Sequence, residues 1–170
     1  MDDASRTAKP IDSTDWRILD ELQRDGRLSY NQLARKVNLS APAVAERVRR
    51  LEERGVIAGY QARIDPALAG LPFTAFIQLR CAIGMCLLKT TSAEDLPEIV
   101  EVHKLSGRSC TMLKVRVASM KHFEGLVERI GEHGELDTYV VLSTQYEGRP
   151  VGPPAAEARP VTPSPGWHRA

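Results

Sequence analysis

Four arginines, Arg47, Arg49, Arg50 and Arg54, fall close together behind the small-residue run Ser40-Ala41-Pro42-Ala43. Guanidinium groups at helical spacing can meet guanine edges or phosphates, and small residues let a helix N-terminus approach base edges. With Val44 as reference and about 100° per residue, Val48 and Leu51 lie within about 40° of it. Ala43, Arg47, Arg50 and Arg54 cluster roughly 60–120° away on one flank, so that face begins small and ends basic. Glu46, Glu52 and Glu53 offer a competing use, since Arg49 and Arg50 can partly pair with them across a turn. A second chemistry-bearing pair is Cys110 and His103, a nucleophile and base respectively if the chain brings them together. No third orienting group accompanies them, and an inert thiol fits equally well. Cys81, Cys86 and His103 lack zinc-ligand spacing, and no phosphate-cradling glycine loop is present. The expectation is no enzyme, no metal and no cofactor.

The arginines need a scaffold, and residues 11–60 supply one. Ile11, Ile18, Leu19 and Leu22, with Trp16 nearby, predict an amphipathic helix over Asp12 to Arg24, ended by Asp25-Gly26. Ser29 can cap a second helix through Leu33, Ala34 and Val37. After Asn38-Leu39, Ser40 can cap a third, with Pro42 in the first turn where its absent amide costs little. Gly55 stops that helix, and Val56 to Tyr60 changes to a strand pattern. A short helix, a tight turn and a third helix with an independent outward face match helix-turn-helix geometry with a terminal wing. Ala41 to Arg54 would span about 21 Å, enough to read part of a site. Two-fold pairing would present two such helices to an inverted repeat.

Composition bounds the rest. Of 170 residues, 42% are hydrophobic and 26% charged, and the net charge is +1. The whole chain therefore carries no polyanion-binding signature, but residues 27–54 hold seven basic and three acidic groups while residues 61–146 hold nine and ten. A basic segment is joined to a slightly acidic one. No apolar run approaches the roughly 20 residues of a membrane helix, and the start lacks the pattern of a signal peptide. With three cysteines that cannot all pair within one chain, a reducing, cytoplasmic setting is expected. Residues 1–10 read as a flexible N-terminus and 61–71 as a linker. Residues 147–170 contain six prolines and read as an extended or disordered tail.

Residues 72–146 form the second module. Phe73 to Arg80 alternates as a strand, Gly84 to Ser92 permits a weak helical turn, and Glu98 to Leu105 reads as a second strand. Cys110 to Val117 has clean period-two alternation. Ser119 caps a helix carrying Phe123, Leu126, Val127 and Ile130, Gly134 ends it, and Leu136 to Ser143 is the last strand. The order βαββαβ predicts an α+β ferredoxin-like domain: an antiparallel sheet with helices on one face. The other face must stay polar, bind something or meet another sheet, and Phe73, Val140 and Leu142 are candidates for that contact.

The pattern "ID..D..IL..LQ.DGR.S...LA..V.LS...V..RV..LE..G.I.GY" over residues 11–65 resembles the DNA-binding half of the Lrp/AsnC (feast/famine) transcription regulators. The segment "LPEIVEVHKLSGRSCTMLKVRVASMKHFEGLVERIGEHGELDTYVVLS" resembles the same family's C-terminal domain. The resemblance implies a winged helix-turn-helix joined to a ligand-sensing and assembly domain. It also implies double-stranded promoter DNA and an amino acid or related metabolite as partners, and homodimers that assemble into tetramers or octamers. DNA contacts would come from Ser40, Ala41, Pro42, Ala43, Arg47, Arg50 and Arg54. The effector would bind near the turn Ser106-Gly107-Arg108-Ser109-Cys110, with His103 as a polar wall and Thr138 approaching from the last strand. Many relatives carry Asp where Cys110 stands, so the ammonium counter-charge is missing here. The rival expectation is a small-molecule-binding assembly protein whose helix-turn-helix is mainly structural.

Overall fold

The computed structural model describes residues 10–154. The expected loose N-terminus, apart from Pro10, and the end of the proline-rich tail lie outside them. The described chain forms two compact units, one of residues 10–61 with 148–154, the other of residues 62–147.

The first unit is three helices: α1 (Ser13–Arg24), α2 (Tyr30–Val37) and α3 (Ala41–Glu53). Asp12 is the N-cap of α1, its side chain accepting the Asp15 amide at 2.8 Å while Asp15 accepts the Asp12 amide. Ser29 and Gln32 form the same reciprocal box on α2, which satisfies amides that have no helical partner. Asn38 closes α2 in the left-handed region (φ 57°, ψ 49°), a conformation asparagine tolerates better than most residues. Ser40 then caps α3 by accepting the Ala43 amide. Ile18, Leu33, Val37, Val44, Val48 and Leu51 are buried together, each contributing roughly 1.5–3 kcal/mol of burial. In the tail, Val151 brackets the Gln23 amide, its N–H donating at 2.7 Å and its carbonyl accepting at 3.0 Å.

The wing departs from expectation. Gly55 ends α3 at φ 69°, but residues 56–60 form no strand. The Val56 and Ile57 amides instead donate to the Leu51 carbonyl. A strand needs a ladder partner, and the described residues of this unit contain none.

The second unit has the expected order: β1 (Phe73–Cys81), α4 (Leu87–Thr90), β2 (Ile99–Lys104), β3 (Thr111–Val117), α5 (Met120–Gly131) and β4 (Gly134–Val140). The sheet is antiparallel in the order β2-β3-β1-β4. Ala75, Ile77 and Leu79 of β1 and Leu113, Val115 and Val117 of β3 are buried with Phe123, Leu126 and Ile130 of α5. The weak helical segment is one turn, consistent with Thr90 and Thr91 at its end. Buried His133 holds that segment, its ring contacting the Thr90 and Thr91 hydroxyls and the Met85 carbonyl.

Gly134 begins β4 rather than ending α5. Its φ is 152°, and a Cβ there would stand 2.1 Å from the Arg80 carbonyl oxygen. Glycine is what lets β4 approach β1 at this point. The expected contact residues also move. Val140 pairs with Ala75 and Phe73 with Val117, which puts both on the helix-bearing side, and Leu142 lies beyond the strand. The open face instead carries the cross-strand pair Phe76 and Tyr139. Beside it runs an ion network in which Lys114 meets Glu101 at 3.0 Å and Glu147 at 2.7 Å.

Candidate functional site

On α3, Ser40 and Pro42 are exposed and Ala41 and Ala43 half-buried, so the first turn is open to a partner. The arginines divide in a way helical phase alone did not reveal. Arg47 does not extend outward. Its Nη1 donates to Asp12 Oδ2 at 2.7 Å and to Asp15 Oδ1 at 2.6 Å, tying α3 to the start of α1. The Asp15 side chain is 7% exposed and that of Arg47 25%. The Arg47 guanidinium holds the Asp12 carboxyl below its ordinary value, and Asp12, then Asp15, raise that of Arg47. The physical reason is angular: roughly 60° from Val44, Arg47 borders the buried stripe and faces the carboxylates at the start of α1. This use of Arg47 was missed by sequence reasoning, although Asp12 and Asp15 at capping spacing were its signal.

Arg49 is exposed and pairs with Glu46 and Glu53, the competing use expected for it. Arg50 and Arg54 line a recess of about 110 Å³ with Pro10, Asp12, Asp15 and Glu53. Arg50 Nε is buried without a hydrogen-bond partner. Arg54 is the exposed C-cap. The outward surface of α3 is therefore the small first turn followed by Arg49 and Arg54, interleaved with the exposed Glu46, Glu52 and Glu53, while Arg50 is half-buried.

In the second unit the β2–β3 turn contains the expected loop. Ser106, Gly107 and Arg108 are exposed, Ser109 and Cys110 half-buried, and Gly107 has φ 140°. Two bonds fix its base: Leu105 N–H to the Cys110 carbonyl and Cys110 N–H to the Leu79 carbonyl, both 3.0 Å. Two further candidates lie on the strands rather than in the turn. His103 pairs opposite Met112 on the open face and contacts Glu101 at 3.3 Å. Thr138 pairs with Ile77, which in turn pairs with Leu113. It therefore sits two strands from β3 and beyond reach of Cys110 in the same chain. Strand phase and order, invisible before folding, decide both.

Cys110 Sγ lies 2.9 Å from Cys81 Sγ, a proximity that no spacing in the sequence signals. Burial raises the Cys110 thiol, but hydrogen bonds from Cys81 and Thr111 outweigh it and hold it below its ordinary value. Burial, then the bond with Cys110, pushes Cys81 up to about 11. Among the described residues no group of three or more His, Cys, Asp or Glu is placed to hold a metal ion. Nor is any helix among them long and apolar enough to cross a membrane.

Comparison with known proteins agrees with this geometry. A winged helix-turn-helix DNA-binding model matches residues 11–58, and the Lrp/AsnC ligand binding domain matches residues 74–151. The HTH-type transcriptional regulator LrpC of Bacillus subtilis is 32% identical over 78% of this chain and 92% of its own. Its solved structure superposes with a TM-score of 0.75 at 31% identity, covering 80% of this chain and 97% of that one. The leucine-responsive regulatory protein of Escherichia coli K12 is 36% identical over 84% of this chain and 91% of its own. A feast or famine regulatory protein from M. tuberculosis, solved in complex with L-methionine, has a TM-score of 0.73 at 32% identity and covers 85% of this chain and 100% of that one. With a three-helix DNA-binding unit and a βαββαβ domain both matched in order, the chain belongs to the Lrp/AsnC family of helix-turn-helix transcription regulators.

Proposed function

We propose that this DNA-binding regulator recognises specific double-stranded promoter sites as a homodimer, at inverted repeats, and that an amino acid or related metabolite shifts its assembly between dimers and tetramers or octamers. The observation that carries the DNA reading is the open first turn of α3, positioned by the left-handed Asn38 and the Ser40 cap. In this reading Ser40, Ala41, Pro42 and Ala43 approach base edges, while Arg50 and Arg54 meet phosphates or guanines. Arg47 acts by positioning α3 against α1.

The ligand reading is supported by the exposed Gly107 turn, whose backbone amides and Ser109 hydroxyl suit a carboxylate. It is also supported by relatives that are leucine-responsive or complexed with L-methionine. Because Cys110 supplies no carboxylate, the ligand's ammonium needs another counter-charge. A ligand can shift assembly only through different affinity for the alternative states.

Mobility shifts on the protein's own upstream DNA and on shuffled DNA, at several salt concentrations, test the first half. A strong preference for the native fragment supports it; equal affinity for both overturns sequence-specific regulation. Calorimetry across the amino acids, with sedimentation of the protein and its DNA complex, tests the second. Heat with a change in assembly supports it, and silence across the panel overturns it.

A further inference from the structure

The two sulfurs at the base of the β2–β3 turn are together because of an irregularity in the sheet. Leu79 of β1 pairs with Thr111 of β3. Continuing that antiparallel register would set Cys110 opposite Arg80 and on the other face from Cys81, since successive residues alternate faces. Instead the Cys110 amide also donates to the Leu79 carbonyl. Two residues of the β3 side thus answer to one of β1, as in a bulge, which re-aims a side chain. Cys110 Sγ turns to the Cys81 side, 2.9 Å from its sulfur and 3.3 Å from its amide nitrogen, with the Thr111 hydroxyl at 3.5 Å.

We propose that Cys81 and Cys110 are a peroxide-oxidisable dithiol that closes to an intrachain disulfide and locks the base of the Ser106–Cys110 turn. The Cys110 thiol lies against the Cys81 sulfur and, at 3.2 Å, the Leu79 carbonyl oxygen, and two donors converge on Cys110 Sγ, the Cys81 amide and the Thr111 hydroxyl. They favour its thiolate, the reactive form, whereas Cys81 keeps its proton. The Cys110 thiolate attacks a hydroperoxide; its S–O bond forms, the O–O bond breaks, and the leaving oxide takes a proton to become water or an alcohol. The Cys81 sulfur then attacks the Cys110 sulfenic sulfur; the S–S bond forms, the S–O bond breaks, and hydroxide leaves with the Cys81 proton as a second water. One hydroperoxide is reduced by two electrons and two thiols are oxidised. The sulfurs need close by only about 0.9 Å to reach the bonded separation.

A disulfide would tether the last residue of the turn to the end of β1. It would also remove the thiolate that accepts the Cys81 amide and Thr111 hydroxyl. The chemistry stands on the sulfur geometry alone; its consequence for ligand binding rests on the proposed role of the turn.

The test treats the full chain with hydrogen peroxide under native conditions, titrates free thiols, and maps peptides without reduction. The titratable thiols should fall from three to one, with a peptide joining Cys81 to Cys110 that dithiothreitol dissolves. Cys86→Ser should leave that link intact. Cys81→Ser should stop at a dimedone-trappable sulfenic acid on Cys110, and Cys110→Ser should lose the fast reaction. Sulfinic acid, intermolecular bonds or Cys86-containing links in place of the Cys81–Cys110 peptide would overturn the proposal. Amino-acid calorimetry on reduced and oxidised protein keeps the two readings apart. A reduced protein that binds no ligand fails the sensing reading and leaves the disulfide result standing.

Discussion

Arg47 Nη1 lies 2.6 Å from Asp15 Oδ1, joining the middle of α3 to the first turn of α1 through a carboxylate that is almost wholly buried. Asp12, which caps α1, takes the same nitrogen at 2.7 Å. One guanidinium thus links the helix-capping device of α1 to the orientation of α3. Rotating α3 to free Arg47 for DNA would leave the buried Asp15 carboxylate without its cation.

Arg47→Ala should therefore act on stability before it acts on DNA. Removing one partner of a buried pair leaves an uncompensated charge, but a quarter of the Arg47 side chain is exposed, so solvent screens part of the loss. A decrease of about 2 kcal/mol in urea unfolding is expected. A double-mutant cycle with Asp15→Asn should show coupling above about 0.5 kcal/mol. Unchanged stability with a shallower salt dependence of DNA binding would return Arg47 to the DNA-contacting set.

Arg50→Ala and Arg54→Ala should behave in the opposite way. Each should weaken DNA binding by roughly 1–3 kcal/mol if the arginine reads a base, or lower the salt slope by about 0.9 if it neutralises a phosphate. Stability should change little, because Arg54 is exposed and Arg50 Nε has no hydrogen-bond partner to lose. Binding curves on native and shuffled sites separate the two roles.

Acid should unfold the protein through a small set of paired carboxylates. Asp12 is held below its ordinary value by Arg47, and Glu101 and Glu147 by Lys114. At Glu98 burial raises the value, but hydrogen bonds from His122 and Arg129 outweigh it. Each folded value lies below its unfolded one. The stability is therefore fully present above the unfolded carboxylate range near pH 4 and is lost as pH falls through the folded values. Denaturant midpoints measured from pH 7 downward should drop below about pH 5. Asp12→Asn should flatten that decline.

Two glycines near the end of α5 give a matched pair of tests. Gly134→Ala puts a Cβ 2.1 Å from the Arg80 carbonyl oxygen at a φ of 152°, and should cost about 3 kcal/mol or more. At Gly131 the nearest contact to a Cβ is Leu136 Cδ1 at 3.9 Å. Gly131→Ala should be neutral or stabilise by up to about 1 kcal/mol. Equal thermal shifts in the two variants would contradict the close approach of β4 to β1.

The helices of the first unit and the succession of strands and helices along the second are legible because their signals are local. Ser29, Ser40 and Ser119 cap helices where their hydroxyls precede an apolar period, and the alternation over Thr111–Val117 reappears as alternating burial. The wing differs from its expected form for the complementary reason. Val56 to Tyr60 has strand composition, but composition supplies no ladder partner.

Sequence alone thus determined the two modules, the family resemblance, and which residues start α3, since caps, periodicity and spacing are properties of neighbouring residues. Tertiary structure decided which arginine faces outward, which strand face Thr138 occupies, and that Cys81 meets Cys110. These depend on helix rotation, sheet order and a bulge-like step, which arise only when segments distant along the chain pack together.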